Sequence, residues 1–161
     1  MKYQEGKADE LKTKMWKAMA NSPYVFLELD GRSDTAIVMT AQLDKNADSA
    51  VWFYSHKDSD LAAMGPATVT FSGKGHDMFA RIAGTLVEET SRERFEQFWS
   101  NFVEAWYEGG KDDPNMLFMR LDLADAEIWS TDLGALTTAK MAMGKTVIDE
   151  AEQEHVRSTQ L

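Results

Sequence analysis

Residues 50–61 read AVWFYSHKDSDL, an apolar run that ends by delivering a hydroxyl (Ser55), an imidazole (His56) and an ammonium (Lys57) to a short helix-forming stretch. A strand end that brings a hydroxyl and a cation to a helix N-terminus is a seat for an anion. The unpaired backbone N–H groups and the positive end of the helix dipole both favour negative charge there. A phosphate suits Ser55 and Lys57. The same residues also fit a plainer arrangement in which Asp58, Ser59 and Asp60 cap their own helix and Lys57 balances their charge. Elsewhere the chemistry is sparse. His56, His76 and His155 are widely separated and form no i, i+4 pair of the kind that binds zinc on a helix. The Gly-Lys-Gly at 73–75 is too short for a P-loop and lacks the third glycine of a dinucleotide-binding turn. Asp112 and Asp113 stand before Pro114, where acidic side chains cap or solvate a turn. With no cysteine, disulfides, thiolate zinc sites and cysteine nucleophiles are excluded.

The elements that must position these residues lie in a chain of 161 residues, a length that makes one domain with a substantial core. Its 27 acidic and 17 basic side chains leave a formal charge of -10, which repels nucleic acid. The N-terminal stretch lacks the apolar h-region of a secretory signal, and no run approaches the roughly 20 apolar residues that span a bilayer. A cytoplasmic protein with no membrane and no nucleic-acid partner is expected.

Leu11, Met15, Ala18 and Met19 fall at helical spacing, and Asn21-Ser22-Pro23 ends that helix. The period then changes. YVFLELDGRSDTAIVMTAQL reads as two strands joined by a glycine turn, AVWFYS as a third, ATVTFS and MFARIAGTLVEE as two more, and NMLFMRLDL with AEIWS as the closing β segments. Between them, DSDLAAM reads as a short helix. Thr90 and Glu93 form a capping-box pattern, after which Phe95, Phe98, Trp99, Phe102, Val103 and Trp106 share one helical side, a stripe expected to pack into the core. A last helix is expected near DLGALTTAKMAM. Six short strands without a helix between each pair exclude a parallel sheet and predict an antiparallel barrel or Greek key, mainly β with peripheral helices. Residues 1–144 are expected to form this single domain and 145–161 a polar C-terminal tail.

In the order TAIVMTAQL, VWFYSHKDSDL, GHDMFARIAGTL, FVEAWYEGGKDDP and AEIWS, the chain resembles the FMN-binding split-barrel proteins related to pyridoxamine-phosphate oxidase, most closely the general stress protein branch. The resemblance runs over about residues 11–144. It implies a six-stranded antiparallel Greek-key split β-barrel that pairs as a homodimer, with one FMN in each of two clefts at the interface. It places the flavin ring against the backbone of Val38, Met39 and Thr40, the ribityl and phosphate groups at Tyr54 and Ser55, a phosphate cation at Lys57, and Trp129 beside the flavin from the other subunit.

Two departures bear on activity. The family's arginine at the start of the strand entering the flavin site is matched here by Ala36, which leaves Arg32, Arg81 or Lys140 as replacements. After Trp129, where the oxidases carry an arginine and a histidine for the substrate phosphate, the chain has Ser130, Thr131 and Asp132. The resemblance therefore implies a flavin-dependent oxidoreductase or reductase of unknown substrate, served by a nicotinamide or another small redox partner, and not a pyridoxamine-phosphate oxidase. The alternative is a flavin-binding or interaction module without turnover. No well-placed histidine recommends haem in its stead.

Overall fold

The structure, a computed structural model, describes residues 4–5, 8–131, 135–144 and 154–161. Helix α1 (Ala8–Asn21) follows a two-residue strand β1 (Gln4–Glu5), and it buries Leu11, Met15 and Met19 completely. These lie four residues apart on one stripe, so the helix adds three full-length side chains to the core. Strands β2 (Tyr24–Leu29) and β3 (Arg32–Thr40) form a hairpin about Gly31, whose φ of 76° is open to glycine without strain. A short β4 (Gln42–Asp44) leads into β5 (Ala47–His56), and a single 3-10 turn at Asp60–Ala63 leads on to β6 (Gly65–Ser72) and β7 (Met78–Glu88). The closing segments predicted separately form one strand, β8 (Met116–Ser130), with a bulge against β7 between Ile82 and Gly84. Gly84 is required at that bulge, because a Cβ there would lie 2.5 Å from the carbonyl oxygen of Asp122.

Six of these strands make the barrel wall in the order β3-β2-β6-β7-β8-β5, every neighbouring pair antiparallel. The pairing of β2 with β6 and of β5 with β8 joins strands distant in sequence, which is the Greek-key feature. The fold is therefore the mainly β split barrel expected, with β1, β4 and a further strand β9 (Glu154–Gln160) added to the six. Where a closed barrel would pair β3 with β5, the hairpin between them is bonded only through β4, at Gln42↔Trp52 and Asp44↔Ala47, and β3 separates from β5 beyond Ala41. That seam is the split.

Two predicted features need correction. Residues 154–160 do not hang as a loose polar tail. They pair with β8 through Ile128↔Val156 and Trp129↔His155, and bury Val156 and Thr159. The helix starting near Thr90 is two helices, α2 (Arg92–Phe98) and α3 (Asn101–Glu104). Its N-cap is Ser91, whose hydroxyl accepts from the N–H of Arg94 at 3.2 Å. Trp99 is extended at φ -65° and ψ 133°, and Ser100 caps a second start, which shifts the helical phase. The aromatic stripe is divided as a result: Phe95 is buried, whereas Phe102 and Trp106 are 87 % and 79 % exposed. A last helix, α4 (Ala135–Ala142), forms as expected.

The buried side chains separate into two groups. The barrel interior holds Val25, Leu27, Phe53, Val69, Phe71, Ile82, Met119, Leu121 and Ile128 around the α1 stripe. A second cluster lies on the outside of β5 and β8, where Trp52, Phe95, Tyr107 and Phe118 pack under α2 and α3. Strand β5 is thus covered on both faces, which is why AVWF is apolar at every position rather than at alternate ones.

Candidate functional site

The open edge of β3 follows from its pairing. The N–H of Ala41 donates to the carbonyl of Pro23 at 2.7 Å, making Pro23 and Ala41 a hydrogen-bonded pair. Such pairs alternate along an antiparallel ladder, so Val25 with Met39 and Leu27 with Ile37 are bonded as well, while Val38 and Thr40 turn their N–H and C=O groups away from β2. Among the described residues no strand meets that side of β3. The Thr40 carbonyl receives only the side-chain amide of Gln42, at 3.4 Å. Val38 and Thr40 therefore present a free row of donors and acceptors, and Met39 does not: its backbone is used by β2 and its side chain packs against the barrel interior. Ile37, opposite Leu27 on the inward face, is still 51 % exposed because the barrel is open beside it.

Across the seam, the end of β5 is tied down. The hydroxyl of Ser55, which is buried, meets the Ser59 hydroxyl at 3.1 Å, and the Ser55 carbonyl accepts from the Tyr107 phenol at 2.9 Å. Lys57 reaches over the 3-10 turn at Gly110–Asp112 to donate Nζ to the Pro114 carbonyl at 2.7 Å. The His56 ring lies against Tyr107, with centroids 4.7 Å apart, and meets the Asn115 amide at 3.3 Å. Asp113 accepts from the backbone N–H groups of Asn115 and Gly109, which hold its carboxyl below its usual range, so it caps the turn and does no acid–base work there. The helix expected after Lys57 is the one 3-10 turn at Asp60–Ala63, and Ser59 caps nothing with its side chain. One turn contributes little dipole, so an anion held at this end would rest on Ser55 and Lys57 and not on the helix.

Tyr54 points the other way. Alternation puts its ring under α2, where its hydroxyl donates to the Phe95 carbonyl at 2.6 Å, and burial pushes its phenol far above the ordinary tyrosine range. Tyr107, also buried, is pushed up to about 12. Neither phenol is an acid at neutral pH. Any contact from Tyr54 to a ligand in the seam uses its backbone.

Trp129 lies elsewhere. Ser55 pairs with Leu117 near the start of β8, and Trp129 is twelve residues further along that strand, about 40 Å of extended chain. One chain does not bring Trp129 to Ser55. It occupies the outer face of the sheet, stacked on His155 at 5.1 Å and 6°. On the same face of the wall, β2 and β3 expose Tyr24, Phe26 and Val38 at 63 %, 54 % and 55 %. Sequence reasoning missed His155 here because β9 itself was missed. Of the three cations offered in place of the β3 arginine, Arg32 is held by Asp34 at 3.0 Å and Asp60 at 3.6 Å. Arg81, on the outer face, has no such partner among the described residues. Ser130 is buried, the Thr131 hydroxyl donates to the His76 carbonyl at 3.3 Å, and Asp132 lies outside the described residues. Among the described residues no group of three or more His, Asp or Glu is placed to hold a metal, and no helix is long and apolar enough to cross a membrane.

Comparison with known proteins bears on the family and the fold. The family model described as "Pyridoxamine 5'-phosphate oxidase like" matches residues 9–154. The general stress FMN/FAD binding protein of Xanthomonas citri is 42 % identical over 76 % of this chain and 90 % of its own, with a TM-score of 0.70. A general stress protein 26 of Jannaschia sp. CCS1 is 30 % identical over 93 % of this chain and 99 % of its own, with a TM-score of 0.76. The general stress protein 26 of Bacillus anthracis, at 17 % identity and a TM-score of 0.62, shares the fold. No curated protein sequence matches. A family model that spans nearly the whole chain, and two general stress proteins alike in sequence and fold, place this chain in the pyridoxamine 5'-phosphate oxidase-like family, in its general stress protein branch.

Proposed function

We propose that the chain is a homodimeric flavin-binding protein that holds FMN at the seam between β3 and β5. The observation that carries this reading is the free edge of Val38 and Thr40. A pyrimidine-type ring edge presents alternating N–H and C=O groups, and an unpaired strand edge is its complement. The relative from Xanthomonas citri, which binds FMN or FAD, supports a flavin there. The residues at the other end of the seam fit a phosphate: an ammonium has three N–H donors, and Lys57 spends one on Pro114. The exposed Tyr24, Phe26 and Val38 favour a second copy against the sheet, and the distance of Trp129 from Ser55 requires that copy if the tryptophan is to reach the flavin.

Bound FMN supplies redox chemistry at its ring, and the chain supplies binding, orientation and exclusion of water. No cation stands in residues 128–131 to clamp a substrate phosphate, which argues against oxidation of pyridoxamine phosphate. Reduction by a nicotinamide is the favoured reaction. Flavin binding without turnover is the second reading, favoured by His56, whose ring is occupied by Tyr107 and Asn115 and is not poised as a base. Titration with FMN and with riboflavin, followed by flavin fluorescence, tests the assignment. Lys57→Ala should weaken FMN by about 1–3 kcal/mol and leave riboflavin nearly unchanged. Equal losses would remove Lys57 from the phosphate site, and failure of either flavin to bind the wild-type protein would overturn the reading.

A further inference from the structure

Arg81 and Glu127 stand directly opposite each other on β7 and β8, an arrangement in which opposite charges ordinarily meet. Here they do not. Glu127 is turned toward β9, where Oε1 receives Nε2 of His155 at 3.0 Å and lies 3.5 Å from Nε of Arg157. Arg81 is left without an ion pair or hydrogen bond among the described residues. Arg81 lines an open cavity of about 220 Å³ together with Thr68, Ala83, Asp125, Ala126, Glu127 and Arg157. Asp125 also lines that cavity and is not paired with Arg81. The site thus offers one unspent fork of N–H donors and one unspent carboxylate. Thr68, with its hydroxyl donated to Asp30 at 2.7 Å, forms a fixed wall.

We infer that this cavity is a subsite for a small organic oxyanion that carries an amine or hydroxyl beside its acid group, with Arg81 binding the oxyanion and Asp125 receiving the donor. A guanidinium binds a carboxylate or phosphate bidentately, and Asp125 repels a bare anion less when a donor intervenes. The subsite is made available by β9, which draws Glu127 away. On β7, Arg81 stands two residues after Phe79, the cross-strand partner of Trp129. The inference rests on the proposed dimer for its meaning: with Trp129 against the partner protomer's flavin, the acid held by Arg81 belongs to the substrate of that flavin.

The test uses the full-length protein labelled with ¹⁵N, titrated with anthranilate and, separately, with inorganic phosphate. The Nε–H resonance of Arg81 is identified by its loss in Arg81→Gln. Anthranilate should shift that resonance and the neighbouring backbone amides saturably in the millimolar range, and those amides should report about tenfold weaker binding in Arg81→Lys, which keeps the charge and loses the fork. Shifts by anthranilate uphold the subsite; shifts by phosphate and not by anthranilate would mean that Arg81 holds a bare anion without a donor to Asp125, and would overturn it. In His155→Ala/Arg157→Ala, Glu127 is released to Arg81 and binding should be lost, and adding Glu127→Ala should restore it. A silent Arg81 resonance, binding unchanged in Arg81→Gln, or an effect of that variant on dimer mass alone would overturn the inference. The visible spectrum of the same samples separates the two readings. A flavin-free protein that binds anthranilate at Arg81 keeps the subsite and loses the flavin assignment, and a flavoprotein with a silent Arg81 does the reverse.

Discussion

The outer surfaces of β5 and of the β2–β3 hairpin belong to one barrel wall and carry similar residues, yet the chain treats them oppositely. Over β5 it lays α2 and α3, so Trp52 is only 3 % exposed. The polar tips of three rings packed there have partners: Trp52 Nε1 donates to Glu89 at 3.0 Å, Tyr54 to the Phe95 carbonyl, and Tyr107 to the Ser55 carbonyl. Over β2 and β3 no described element is laid, and Tyr24, Phe26 and Val38 stay exposed among the described residues, beside a strand edge with unspent N–H and C=O groups. The first surface is finished by the chain itself. The second has both the apolar area and the hydrogen-bonding groups of an interface, and the proposed function rests on this contrast in setting a second copy and a flavin on one side of the molecule.

The contrast is most exposed to a pair of truncations. Phe95→Ala removes a ring packed edge-on against Tyr54 at 5.5 Å and Phe118 at 5.6 Å, and should cost about 3–5 kcal/mol in denaturant unfolding. Phe26→Ala should cost a small fraction of that in a dilute, dissociated sample and instead raise the concentration at which light scattering reports twice the 18.1 kDa chain mass. Equal costs would mean that the two faces do not differ. Next come adjacent prolines. Met39→Pro removes an N–H that β2 uses and should cost about 3 kcal/mol, whereas Val38→Pro removes an outward N–H, which an edge strand tolerates, and should weaken flavin by on the order of 1 kcal/mol. A Val38→Pro protein that binds FMN normally would detach the ring from the β3 edge.

The smallest effect sharpens the covered side. Burial raises the pKa of Glu89, but hydrogen bonds from Trp52, the Ser91 N–H and Arg120 more than offset this, and the net shift is downward from 4.5. A carboxylate depressed in the folded state stabilises it above its unfolded pKa, and that contribution is lost as pH falls through the folded value. Glu89→Gln should therefore cost about 1–2 kcal/mol at neutral pH, and its unfolding curve should converge on that of the wild type below about pH 4.5. Parallel curves down to pH 3 would show that the Glu89 network does not carry the difference.

The six wall strands and α1 were legible because their periods are strong: Leu11, Met15 and Met19 on the helix, and the alternating burial of Val25, Leu27 and Leu29 on β2. Strand β9 was hidden because EHVRSTQ contains one apolar residue, and its place comes from backbone pairing with β8. The break at Trp99 has a local signal in the capping hydroxyl of Ser100, overridden by an aromatic stripe continuous on paper. At the site, the residue types at Ser55 and Lys57 were readable, but their orientation was not. The freedom of Arg81 was invisible to any local pattern, since it depends on where β9 draws Glu127.

Strand β8 has a consequence for the birth of the protein. Its fifteen residues serve β5, β7 and β9, and its contact with β5 joins Ser55 to Leu117, about sixty positions apart. At ribosomal speeds of about 5–20 residues per second, β5 waits several seconds with AVWFYS on an unpaired edge before its neighbour is made. Its helical cover, α2 and α3, is synthesised in that interval and can shelter one face, but not the edge. The nascent chain is then at its most adhesive between completion of β5 and emergence of β8, and during those seconds its yield depends on a chaperone or on a low concentration of such chains.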